Sequence, residues 1–502
     1  MSLISLLHDN PVLVKHRRSQ LRRQQIIPLL AIVVVIAGCI AWAGLPLANP
    51  ANWRENDNWH TALIMMFILQ GIFLFVIAPL EVANSAARAR EGGMMDFHRV
   101  SPQQPAALAL GFLLGGSLRA LLLYASTLPF LLLLIFLDPM PAKIPALLLV
   151  PLDMLISGLF FTCAALLIGL SVPEQKANHA GSFALLLVIL SFFAWMLPPL
   201  CYLSFIPTVL AVSKEYSQLP FGYSFFGIAA PPFLLSLLHQ LPLIGFLWLA
   251  VERTMRRERA FPFSKPQALL FFAVLGLLTI GDLSVLHMHH YESSSLFGPT
   301  TVLYVLLVIA LFVGAIVTPR LTQLETGVRH ARKLGLAALP RWSDAAVNLP
   351  VILCLGALYL LFTRAAFLSV SGEEGVSRCN MLLMLATAVF TILYFGLAHQ
   401  FFLLRFRKNG FNYFGLFLFA AWVLPCLLSF VAVITGAESH TVERLCALSP
   451  WAGIGLSLHS TQNTPDALLG LLSASMALVL VVVFFILYRR VVRNVTMLPA
   501  VL

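Results

Sequence analysis

The sequence is poor in charge. Only 11% of its 502 residues are Asp, Glu, Lys or Arg, against roughly 25% in soluble domains. No loop between its apolar runs is long enough for a soluble domain of ordinary size. The chain also lacks a G-x-x-x-x-G-K-S/T phosphate loop, and no Gly-Lys dipeptide occurs anywhere. If ATP drives this protein, a separate polypeptide must hydrolyse it. The seven cysteines include no C-x-x-C pair. No carboxylate pair, nucleophile elbow or Cys–His arrangement points to chemistry on a substrate, so the chain reads as a non-enzyme with no cofactor or metal of its own.

Hydrophobic residues are plentiful. They make up 60% of the chain, and the mean hydropathy is +0.90. This composition predicts an all-α, polytopic membrane protein. Runs of about 20 apolar residues place twelve spans at 27–46, 61–82, 106–136, 145–171, 180–204, 225–251, 267–287, 299–318, 347–369, 380–404, 411–436 and 466–488. Pro129, Pro151 and Pro198–Pro199 are candidate break points. Of the 32 Lys and Arg, 25 fall in alternate segments on one side, including both termini; six fall on the other, and Arg119 lies within a span. Basic residues collect in cytoplasmic loops, so both termini are expected there. Asn10 to Gln25 reads as an interfacial helix with a basic face. The apolar run after it is too long for a cleaved signal.

The two halves share a layout. Each has a span ending at a proline (Pro79, Pro319), then a polar basic stretch, then a glycine and another proline. Each also closes on a basic cluster, ERTMRRER or YRRVVRN. Both begin and end inside, which describes a parallel repeat of six spans. The expected domains are 1–260 and 261–502.

The longest polar interruption of the first half is Pro79 to Pro105, with Arg88, Arg90, Glu91, Asp96 and Arg99 at its middle. Its segment Ala89 to Pro102, AREGGMMDFHRVSP, resembles a signature of ATP-binding-cassette (ABC) exporter permeases, the class that moves lipids, polysaccharides and drugs. Those permeases show Glu-Arg-Glu-x-Gly-Thr-Leu-Asp-Leu-Leu between their second and third spans, followed by a proline. Arg90, Glu91, Gly93, Asp96 and Pro102 match; Ala89 replaces the first acid, and Phe97–His98 replace the apolar pair. The opening NPVLVKHRRSQLR is similar to the interfacial helix of such permeases. The match covers about the first 255 residues. The second half shares only the layout, and its stretch 319–340 lacks the Arg-Glu-x-Gly core.

The resemblance implies two fused permease halves in the bacterial inner membrane. It makes 84–101 a coupling helix that docks an ABC ATPase through Arg88, Arg90, Glu91, Gly93, Asp96, Phe97, Arg99 and Pro102. It assigns 321–341 a similar role through Arg329, Arg332 and Lys333. ATP and magnesium would be bound by that cytoplasmic partner, and membrane lipid would be the other neighbour; further membrane or periplasmic subunits stay open, and no nucleic acid is expected. Two other readings stay open: a twelve-span secondary transporter, and a membrane-embedded assembly factor or enzyme. The short middle linker Glu252–Pro266 and the absence of an acidic relay argue against the first.

Several residues carry separate expectations. Arg119 and Asp153 lie at similar depth on consecutive antiparallel spans, so they are expected to pair, an unpaired charge there being costly. Asp282 is expected to be solvated near a span end. Gly111 and Gly115 permit close helix packing. The His287–His290 cluster with Glu292 fits no standard zinc spacing. A Cys379–Cys446 disulfide stays open.

Overall fold

The computed structural model describes residues 10–45, 58–100, 103–137, 143–172, 179–193, 200–212, 224–256, 261–283, 297–336, 339–368, 378–406, 409–436, 438–459 and 467–496. These form an α-helical, multi-pass membrane protein. Among the described residues, ten helices are long and apolar enough to cross a bilayer, and an eleventh crossing is counted if one bent pair is a single span. Of the fifth expected span, 180–204, the described residues form an apolar helix over Ala180–Phe193 and a short turn over Leu200–Leu203; 194–199, with Pro198–Pro199, lie outside them. Pro129 and Pro151 do not break their helices. The chain divides into two compact units, 1–223 with 229–262, and 224–228 with 263–502.

The first unit opens with α1 (Pro11–Gln20). The Asn10 side chain caps it, accepting from the amides of Val12 and Leu13 at 3.1 and 3.3 Å. Pro11 occupies the first turn, where a missing N–H costs nothing. Then come α2 (Arg23–Gly44), α3 (Asn58–Gly71) and, after a π-helical stretch, α4 (Ala78–Glu91). A short α5 (Met94–Val100) leads to α6 (Pro105–Phe136), α7 (Ile144–Ser171) and α8 (Ala180–Phe193). A small α9 (Ile206–Val212) and a long α10 (Pro232–Arg256) follow. Between them in the chain runs a two-stranded hairpin, β1 (Ser224–Phe225) and β2 (Ile228–Ala229), of which 224–228 belong to the second unit.

The second unit contains α11 (Lys265–Leu283), α12 (Phe297–Ile316), α13 (Leu321–Lys333), α14 (Leu349–Leu368) and α15 (Arg378–Arg405). It continues through α16 (Gly410–Leu418), α17 (Leu424–Ile434), α18 (Ser439–Ala447), α19 (Pro450–His459) and α20 (Ala467–Thr496). Its centre is aromatic: Phe395, Phe402, Phe414, Phe417 and Phe484 meet at centroid distances of 4.8 to 6.4 Å.

Packing order is similar inside each unit. In the first, α2 packs on α3 and α6, and α7 packs on α6, α8 and α10. In the second, α11 packs on α12 and α14, and α15 packs on α14, α16 and α20. Among the described residues each unit also has one π-helical stretch, Ile72–Ile77 and Phe419–Val423, and a proline follows two residues later, at Pro79 and Pro425. A proline ring crowds the carbonyl four residues back and offers it no hydrogen. Those carbonyls belong to Phe75 and Ala421, inside the widened turns, so the wide turn takes up the missing bond.

Glycine brings α1 onto α6. A Cβ at Gly111 would stand 2.6 Å from Asn10 Oδ1, and one at Gly115 would stand 2.9 Å from the His16 Cβ. The glycine pair does serve close packing, and its partner is the interfacial helix.

Candidate functional site

The coupling stretch 84–101 is not one helix. Residues up to Glu91 continue the span through α4; Gly92 and Gly93 then turn the chain, Gly93 with φ +67°, and α5 begins at Met94. A positive φ of this kind suits glycine and strains other residues. Four of the expected docking residues, Arg88, Glu91, Gly93 and Asp96, are exposed, and Phe97 is 68% exposed. Arg99 belongs to α5, and Pro102 lies outside the described residues. Met95 faces inward and joins a core cluster with Leu108, Leu166 and Met255.

Arg90 corrects the expectation that the matched charges all face a partner. Its Nη1 donates to the carbonyls of Leu170 and Val172, at 2.8 and 2.7 Å. Those carbonyls end α7, where no intrahelical donor remains and a cation suits the helix dipole. At the other polarity, the Asn84 side-chain oxygen Oδ1 accepts from the Gly181 backbone amide at 3.0 Å, in the first turn of α8. Helix α4 therefore grips the end of one neighbour and the start of another. The backbones of α4 and α7 also touch, since a Cβ at Gly169 would lie 2.4 Å from the Ala83 carbonyl oxygen.

The second-half counterpart is shorter than the expected 321–341. Its helix ends at Lys333, and Gly335 turns the chain with φ +70°. It makes a 57° bend with the preceding span helix. Leu321 and Leu324 are buried with Leu404, while Arg329, Arg332 and Lys333 are exposed. The returning loop is held from beneath. Lys265, 1% exposed, donates through Nζ to the carbonyls of Ala346, Val347 and Arg341 at 2.7, 3.0 and 3.3 Å. Asn348 adds bonds to the Gly314 carbonyl and Thr318 Oγ1, at 2.9 and 3.1 Å.

Arg119 and Asp153 do not form the expected pair. Arg119 is ion-paired with Glu81 on α4. The buried Asp153 carboxylate accepts from the Thr208 hydroxyl and from Gln240 Nε2, the latter at 3.2 Å. The reason is directional. Side chains lean toward the N-terminus of their helix, and α6 and α7 run antiparallel. Two Cα atoms at equal depth thus send their side chains toward opposite ends. Glu81 was visible in the sequence at the head of the polar stretch, and a reading that followed the lean of Arg119 would have reached it.

One further expectation is corrected, and one question left open is answered. Asp282 is 2% exposed rather than solvated. The hairpin covers its helix end, and the Phe226 amide donates to the Gly281 carbonyl at 2.9 Å. All seven cysteines are thiols, so no bridge joins Cys379 and Cys446. Trp59 is buried in the core and donates to the Leu134 carbonyl at 3.0 Å. Among the described residues no group of three or more His, Cys, Asp or Glu could hold a metal. The His287–His290 cluster and Glu292 lie outside them.

The architecture defines a polytopic α-helical membrane protein. The chain matches no protein-family model, and no curated protein or solved structure matches it.

Proposed function

We propose that the chain is the membrane permease subunit of an ABC-type exporter in a bacterial inner membrane. A separate cytoplasmic ATPase docks on α5 and the end of α4, with α13 as a second contact. The observation that carries this reading is the build of the first bridge. An exposed helix with Asp96 and Phe97 at its surface is joined by a two-glycine turn to a helix continuous with a span. Arg90 ties that helix to α7, and Asn84 ties it to α8. A push on α5 therefore reaches three helices through short, stiff connections. The signature residues Glu91, Gly93 and Asp96 remain on the exposed side, where charges set the register of docking.

The test is co-purification in mild detergent. An ATPase subunit should accompany the wild-type chain. Glu91→Lys and Phe97→Ala should release it while leaving the thermal stability of the chain unchanged. Arg90→Gln should instead lower that stability by roughly 2 kcal/mol, the cost of orphaning carbonyls from a charged donor. An ATP-independent wild-type complex with no ATPase would end the proposal.

One observation favours the secondary-transporter reading. Asp153 is a fully buried carboxylate in a span, held by hydroxyl and amide groups, and such residues mark ion pathways in proton-coupled carriers. Loss of transport in Asp153→Asn, with no response to ATP, would move the assignment there.

A further inference from the structure

A cleft of about 750 Å³ opens between α1, α4 and α6, reaching α5 at one edge. Its wall carries three cationic side chains, Lys15, Arg88 and Arg119, and one carboxylate, Glu81. Burial holds the His16 imidazole, also in the wall, below its ordinary value of 6.5, and the Lys15 ammonium adds to this. At neutral pH the cleft is therefore net positive. Arg119 spends its charge on Glu81, whereas Lys15 and Arg88 stand exposed at the mouth. Two acceptors in the wall are buried without a hydrogen-bond donor: Gln20 Oε1 and Glu81 Oε2. Both sides of a ligand are thus specified. It carries negative charge at the mouth and hydrogen-bond donors at the floor.

The position identifies the source of that ligand. The cleft lies beside the basic interfacial helix α1 and is closed by the first turn of α2 at Gln25, by α4 from Leu80 to Ala89, and by Phe112 and Arg119 in the first half of α6. This is the headgroup level of a membrane. Leu80 gives the same cleft a partly exposed apolar edge, backed by the buried Val12 and Phe112, along which acyl chains can pack. We infer that the cleft holds the headgroup of an anionic phospholipid with free hydroxyls, of the phosphatidylglycerol kind. Its phosphodiester sits between Lys15 and Arg88, and its hydroxyls donate to Gln20 and Glu81. The lipid would then wedge the interfacial helix against the bridge. This inference concerns the chain alone and stands whether or not an ATPase binds.

The experiment is native mass spectrometry of the full-length chain titrated with phosphatidylglycerol, phosphatidylethanolamine or phosphatidylcholine. Phosphatidylglycerol should be retained about tenfold or more over phosphatidylcholine, as two basic contacts at a membrane surface allow. The double variant Lys15→Gln, Arg88→Gln removes two exposed charges and one exposed contact, Lys15 Nζ to Met94 Sδ, and should abolish the preference. Ser19→Trp fills the cleft without touching charge and should do the same. Equal retention of phosphatidylcholine or phosphatidylethanolamine overturns the inference, as does an unchanged preference in the double variant. A Ser19→Trp protein that keeps the preference also overturns it, placing the lipid on the outer surface. Displacement by equimolar soluble glycerol phosphate overturns the lipid source in favour of a free phosphate ester. Should Ser19→Trp fail to fold, the double variant decides alone.

Discussion

The two units solve one problem in different ways. Each must bring the chain out of a span, across a polar stretch and back. In the first unit the span helix simply runs on, and its emerging end is fastened to neighbouring helices. Arg90 takes the last carbonyls of α7, Asn84 takes an early amide of α8, and Gly169 lets the backbones touch. In the second unit the helix breaks and bends by 57°. There the fastening falls on the return loop, through Lys265 and Asn348. A continuous rod with clamped ends passes displacement along its axis. A bent one with a pinned loop holds a shape instead. The same layout in sequence thus supports two mechanical characters.

The sharpest way to test the contrast is Lys265→Met. Three carbonyls lose a buried charged donor, and the second unit should lose roughly 3 kcal/mol. Thermal melting would read this, together with new proteolysis between 334 and 347. If α13 and its loop stay protected, the loop is not what holds that bridge.

Gly169→Ala comes next. The added methyl meets the Ala83 carbonyl, which is backbone and cannot yield, so about 2 kcal/mol is expected from overpacking. Gly396→Ala in the second unit meets only the Ile352 side chain, its Cδ1 at 2.5 Å, and should cost less. Equal losses in melting temperature would remove the distinction between a clamped backbone and an adaptable core.

Smaller effects follow at the turns. Gly93→Ala and Gly335→Ala each force an L-residue to positive φ in open space, costing about 1 kcal/mol apiece. Denaturation should show the two nearly equal, because the cost is local and owes nothing to the surrounding architecture. A large excess at either turn would mean that its neighbours depend on it.

The smallest effect is confined to the first unit. His16 is held below 6.5 by burial and then by Lys15, so the folded protein binds the proton less readily than the unfolded chain. Stability contributed by the neutral ring is complete above about pH 6.5 and is lost as pH falls below it. The protection factors of the α1 amides, with the intrinsic pH dependence of exchange divided out, should therefore fall on acidification, and His16→Gln should flatten that dependence.

Much of the membrane architecture was readable because a bilayer demands long apolar runs, and the chain supplies them with few interruptions. The polar stretch between α3 and α6 was equally plain. What escaped was direction and distance. Arg119 and Asp153 were placed level, yet the lean of side chains along antiparallel helices separates them and gives Arg119 to Glu81. Lys265 looked like one more basic residue in an inner cluster, because nothing local reveals that residues 341 to 347 fold over it. Asp282 looked solvated because the hairpin that covers it lies more than 50 residues earlier in the chain. The motif singles out Arg90 but not the carbonyls of Leu170 and Val172 that it meets, since a motif holds residue types and not contacts.

The widened turns before Pro79 and Pro425 also govern azimuth. Each α-helical residue advances the helix by about 100°, so a surplus residue at 72–77 dials every later side chain around the axis by that increment. Glu81, Asn84 and Arg90 meet their three partners only at this setting. Trimming a single residue from the wide stretch would leave the rod intact, as long and as greasy as before, with its grips pointing into the wrong neighbours.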